Sequence, residues 1–324
     1  MLEAITTLLL AVHLLAMNVA SAGPLAGAWL LHRGLKAGEN ERRPLLHASR
    51  RTFAWSLVAL VVGSLVGGAM LIAPSEGMQA ALRRFPPDAY WFAGSEILFS
   101  AICMAACWRL QRWPKTTWLL TLASVSNLLY HFPPLMAVLG ELAADPRWTD
   151  KEVLDRETLL GLWARPEILS LWLHFILASI AVGFVAALAA SVPCTNDESG
   201  AQTAATAPSP ADRIARPLAG AALAATLLQV PVGLWLLFSS DEAAQQSMLG
   251  GSWLATMGLA GGVWVSLGVM QSLATIAWGG SDRRQLRRTS FLLGLTVLLM
   301  SATLRGSRQV GIEPVVQAEV QAPN

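Results

Sequence analysis

WLHFILASIAVGFVAALAA, residues 172–190, contains no Asp, Glu, Lys or Arg. About 20 apolar residues in a helix are needed to cross the hydrocarbon core of a bilayer, so this stretch reads as a transmembrane helix. Seven more stretches have the same character. Together they predict spans at Ile5–Leu31, Phe53–Ala73, Tyr90–Leu110, Thr117–Gly140, Ile168–Ala190, Pro217–Ser239, Trp253–Trp278 and Phe291–Leu304. The fold class expected is an all-α polytopic membrane protein, about eight transmembrane helices in a bundle.

Composition agrees. The chain is 54% hydrophobic and only 14% charged, where a soluble domain carries roughly 25% charged residues. A net charge of +2 implies no nucleic-acid partner. Walker A, HExxH, GxSxG and CxxCH motifs are absent, so nothing supports a nucleotide hydrolase, a zinc protease of that type or a covalently attached haem. The first residues, Met-Leu-Glu, lack a basic segment, and the first apolar run is expected to be a retained helix.

Basic residues predict the orientation. Arg33, Lys36, Arg42, Arg43, Arg50 and Arg51 follow the first span, and Arg283, Arg284, Arg287 and Arg288 follow the seventh. The connection Ser240–Ser252 has none. The positive-inside rule then places these arginines in the cytoplasm, near anionic headgroups, and both termini outside, in a bacterial-type inner membrane. The connection Glu141–Glu167 is acidic and carries Trp148 and Trp163, which suits an external layer on the membrane surface. Residues 193–212 are rich in Ala, Thr, Ser and Pro and read as a flexible linker. They divide a five-helix part, residues 1–192, from a three-helix part, residues 213–304, with an external tail over 305–324.

The 172–190 stretch also holds His174. An imidazole inside a span is costly without a partner and is a functional hypothesis by default. Ala178, Ala181 and Val185 share its face, leaving a slot for a flat macrocycle or simply allowing close helix packing. Met257, followed by Ala260 and Gly261, is a candidate second ligand, and His/Met ligation of haem iron is known chemistry. His13 lies in TLLLAVHLLAMNVASAG, residues 7–23, where haem ligation competes with an interhelical hydrogen bond. Ser124, Asn127 and His131 form a polar stripe on the fourth span, and Pro133 and Pro134 predict a kink after it. Glu96 is a carboxylate well inside a span, open to three roles: a protonated donor, a proton relay or an acid near a haem. Cys103 and Cys107 read as small packing residues, and Gly63 and Gly67 form a GxxxG packing motif.

The order of these features resembles subunit I of cytochrome bd quinol oxidase over roughly residues 1–280. The resemblance rests on the early His13, GSLVGGAML in the second span, SEIL to CWRL in the third and WLLTLASVSNLLYH in the fourth. LHFILASIAVG, LFSSDEA and TMGLAGG complete the order. It implies haem b, one or two copies, with His174 and Met257 on one iron and His13 at a second centre with Glu96 nearby. Three features differ from the family: the quinol-binding loop is reduced to Ser240–Ser252, the C-terminal carboxylate that ligates the family's second b haem has no equivalent, and His131 is additional, offering His13 a bis-histidine partner. The function expected is a membrane b-type cytochrome subunit of a respiratory complex. Its partners would be other membrane subunits, with a quinol or a cytochrome c as redox partner. A shortened bd-type oxidase reducing oxygen, and a cofactor-free assembly subunit or transporter, are the alternatives.

Overall fold

A computed structural model describes residues 2–72, 74–145, 147–191, 210–279 and 282–309. Those residues form helices and no strand. Eight segments are long and apolar enough to cross a membrane. The protein is an all-α, multi-pass membrane bundle.

The spans are α1 (Leu2–Lys36), α2 (Glu39–Met70), α4 (Pro87–Arg109), the pair α5 (Pro114–Tyr130) and α6 (Phe132–Ala144), α8 (Pro166–Ser191), α9 (Pro210–Ser239), α11 (Trp253–Gly279) and α12 (Arg283–Gln309). Three short elements fill the connections: α3 (Glu76–Arg83), α7 (Arg156–Trp163) and α10 (Glu242–Gln246), the last followed by a π-turn at Ser247–Gly251.

Most spans extend past the apolar stretch seen in the sequence. At about 1.5 Å per residue, helices of this length project beyond a hydrocarbon core of about 30 Å. α2 shows why. Its first turns are basic and amphipathic, with Leu45, Ala48, Ser49 and Thr52 buried against the bundle and the arginines outside. α12 does the same at Arg283–Arg288: Leu286 and Thr289 are buried, and Thr289 shares a 2.6 Å hydroxyl contact with Ser272 of α11. The helix runs to Gln309, so the tail expected from residue 305 begins later; residues 310–324 lie outside the described part. Most of the expected linker also lies outside it, but α9 already starts at Pro210.

The two sides of that linker are not separate in space. One core cluster joins Leu30, Leu45, Leu188, Leu218, Leu273 and Leu293, from α1, α2, α8, α9, α11 and α12. α8 packs chiefly on α9 and α1, and α11 on α12 and α9. α1 and α8 make a close backbone crossing. A Cβ on Gly183 would stand 2.6 Å from the Gly23 nitrogen, so only glycine fits there. Ser179 donates to Asn18 Oδ1 at 2.7 Å beside this crossing.

The bundle has two unlike ends. The basic end holds the α1–α2, α4–α5 and α11–α12 connections, with Arg33 over Trp29, Arg51 over Trp55 and both Arg50 and Arg109 over Trp108. The opposite end carries a layer built from the Glu141–Glu167 connection and α3. Ala81, Phe85, Leu142, Leu154, Leu162 and Ile168 form its core. Arg84 donates to the Thr149 and Lys151 carbonyls, and Leu154 N–H donates to the Arg84 carbonyl at 2.9 Å. Arg165 lies 4.3 Å over Trp148. The layer expected of this connection is therefore present, and α3, unforeseen in the sequence, completes it.

Candidate functional site

Glu96, His131 and Asn127 come together where α4 meets the α5–α6 junction. The helix breaks at His131, one residue before Phe132-Pro133-Pro134. Prolines at the first positions of α6 have no N–H to offer a preceding carbonyl, so a new helix starts there. The break lets the His131 side chain turn toward α4.

Asn127 organises the site. Its Nδ2 donates to the Glu96 carbonyl and to Ser100 Oγ, each at 2.9 Å. A carbonyl oxygen accepts only, so the amide nitrogen must face α4. The amide oxygen therefore faces His131, 3.3 Å from Nδ1. That oxygen requires a proton on Nδ1, which in the neutral ring leaves Nε2 as a free lone pair. Glu96 Oε2 stands 2.8 Å from the same Nδ1, close but not aligned as a hydrogen bond. The carboxyl is 12% exposed and the imidazole 33%.

Two aromatic rings flank the imidazole. Phe92 and Tyr130 stand edge-on to it, at 5.6 and 4.9 Å between centroids. Tyr130 in turn meets Trp163 of α7 and Trp172 of α8 at 5.4 and 5.7 Å. Trp172 Nε1 donates to the Leu129 carbonyl at 2.5 Å, one of the groups freed near the helix break. Trp163 Nε1 is buried without a partner. The layer thus reaches down to the polar site through its tryptophans.

His13 repeats the pattern seen at His131. Its Nδ1 lies 2.8 Å from the Gly63 carbonyl of α2. A carbonyl again accepts only, so Nδ1 carries the proton and Nε2 keeps its lone pair. Gly67 makes the approach possible: a Cβ there would stand 2.6 Å from the ring's Cε1. The GxxxG motif, read as plain packing, also seats an imidazole.

His174 differs. Its Nδ1 is buried with no protein partner. The ring lies against Gly233 of α9, where a Cβ would sit 3.8 Å from Cε1. Met257 is 46% exposed on α11, whose main neighbours are α9 and α12. The proposed His174/Met257 pair therefore rests on helices that are not principal neighbours, while Glu96, Asn127 and His131 are in direct contact.

Ser124 belongs to the expected stripe but has no partner for its buried hydroxyl. Ser100, the rings of Tyr130, Trp163 and Trp172, and the Gly63 carbonyl were not singled out as site groups in the sequence. Ser100 sits at i+4 from Glu96, a signal available in hindsight; the aromatic contacts span separate helices and had none. Cys103 and Cys107 are buried free thiols, and Cys107 Sγ meets Thr117 O and Thr121 Oγ1 at 3.5 Å, so they pack as read.

No known family, curated protein or solved structure matches this chain.

Proposed function

We propose that the chain is a membrane-embedded b-type cytochrome subunit, with His13 and His131 as its best-supported axial donors. The observation that carries this reading is the pair of fixed tautomers. Metal-ligating histidines donate one ring N–H to a carbonyl, amide oxygen or carboxylate and present the other nitrogen to the metal. His13 and His131 both have Nδ1 engaged in that way, by Gly63 O and by Asn127 Oδ1. α1, which carries His13, packs against α5, which ends beside His131.

The donor set suits a porphyrin. Among the described residues no group of three or more His, Cys, Asp or Glu converges. A haem brings four nitrogens of its own and asks the protein for one or two axial ligands. When bound, it supplies one-electron transfer within the membrane, to or from a quinol, a cytochrome c or a neighbouring subunit. The protein's part is to hold both Nε2 lone pairs ready, keep water out and place a carboxyl beside one ligand. Glu96 stands against the Nδ1–H of His131, where an ionised carboxyl would offset positive charge developing at that ligand. His174 and Met257 are the donors for a second haem. His174 offers an unpartnered buried nitrogen beside Gly233, and Met257 has no such support.

Haem stoichiometry by pyridine haemochromogen assay, on full-length protein expressed with haem available, tests the assignment. His13→Ala and His131→Ala should each lose one haem equivalent, and Met257→Ala should lose none if His174 acts alone. Unchanged haem content in both His13 and His131 variants contradicts it. Glu96, as a carboxyl near a haem, also admits the reading of a shortened bd-type oxidase. Carbon monoxide separates the two: a bis-histidine iron has no open position and gives no shift, while an oxygen-reducing site does.

A further inference from the structure

The arginines at the basic end differ in how they are satisfied. Arg213 pairs with Glu41, and Arg50 and Arg109 stack on Trp108. Arg42 and Arg43 have no ion pair among the described residues. They line, with Glu39, His47, Arg50 and Gln111, an open recess of about 470 Å³ between the start of α2 and the α4–α5 connection. Gln111 Nε2 is buried there without a partner, a neutral donor left unused by the protein.

We propose that this recess binds the phosphodiester headgroup of an anionic phospholipid. Guanidinium forks match phosphate oxygens in geometry and charge. Three of them face one carboxylate, Glu39, so the recess keeps a positive excess. The outward face of α2 gives the reason for a lipid over a free anion. Arg43, His47 and Arg50 are exposed, and at the same helical spacing follow Val58, Val61 and Leu65, which are 61%, 50% and 69% exposed. One continuous face thus runs from basic to apolar, along the path from a headgroup to its acyl chains. Leu46 adds an apolar side chain to the recess lining.

Native mass spectrometry of the detergent-purified full chain, with dioleoyl phosphatidylglycerol or dioleoyl phosphatidylcholine added, tests this. Phosphatidylglycerol should be retained over phosphatidylcholine. Each arginine near an anionic headgroup contributes roughly fivefold in binding, so Arg42→Gln/Arg43→Gln should weaken retention by about tenfold or more. Glu39→Gln should strengthen it, an effect that misfolding does not mimic. Millimolar inorganic phosphate should not displace the lipid. Equal retention of the two lipids, an unchanged Arg42→Gln/Arg43→Gln variant, a weakened Glu39→Gln variant, or displacement by phosphate would each overturn the proposal.

Discussion

A single amide decides the chemistry of His131. Asn127 is held by two acceptors on α4, so its oxygen can only point at the imidazole. Asn127→Leu should remove this lock. The stability cost is modest, about 1 kcal/mol, because polar contacts in membranes average less than that and seldom exceed 2. The informative readout is nitrogen NMR of histidine-labelled protein without haem. Wild type should show Nδ1–H tautomers at His13 and His131, and the variant should lose that state at His131 alone. A mixed tautomer at His131 in the wild type would refute the lock. Gly67→Leu is the matching change for His13. Its Cβ cannot coexist with the ring where it stands, and overpacking of this kind costs about 1–3 kcal/mol. The His13 signal should move while that of His131 stays. The sequence marked these histidines, Asn127 and Glu96, because polar residues in apolar runs stand out. It did not reveal which atoms meet: the Gly63 carbonyl and Ser100 lie on other helices, and no periodicity on one span encodes the register of its neighbour.

Elements were legible in proportion to their apolar length. Eight spans of about 20 residues could be read directly, since each satisfies its own backbone and faces lipid. The prolines at 133 and 134 announced a break beside His131, and the structure has it at His131, two residues before Pro133. α3 and α7 were not legible as helices, because eight residues are too few for a clear apolar period. Both rely on caps. Ser75 accepts from Met78 N–H at 3.3 Å, and Asp155 accepts from Thr158 N–H at 2.8 Å. The backbone N–H bond from Thr158 holds the Asp155 carboxyl below the usual aspartate range. A lowered folded value means the cap supports α7 above that range and loses the support as pH falls through it. The protection of α7 amides, relative to their intrinsic exchange rate at each pH, should therefore fall on acidification, and Asp155→Ala should show the low protection at neutral pH. Equal protection in the two proteins at neutral pH would remove the cap from the account. Gly183→Leu belongs here too. It forces α1 and α8 apart at their close crossing and should cost at least as much as Gly67→Leu, read as a lower midpoint of thermal unfolding in detergent.

At the level of the molecule, His13, His131, His174, Glu96 and Met257 all sit toward the end of the bundle that carries the α3–α7 layer. Arg42, Arg43 and four of the five arginine–tryptophan stacks among the described residues lie at the other end. The positive-inside rule predicts that this basic end faces the cytoplasm. Gly38→Cys, in the α1–α2 turn, should then react with an impermeant maleimide only after cells are opened, while Glu152→Cys in the layer should react in intact cells. The reverse pattern would invert the topology. Haem binding is the claim on which the functional account depends. The most direct measurement is the reduced-minus-oxidised optical spectrum of the purified full chain, produced with haem available. The account predicts a Soret band that shifts on dithionite reduction, with the sharp visible bands of a low-spin b haem; a colourless protein would contradict it.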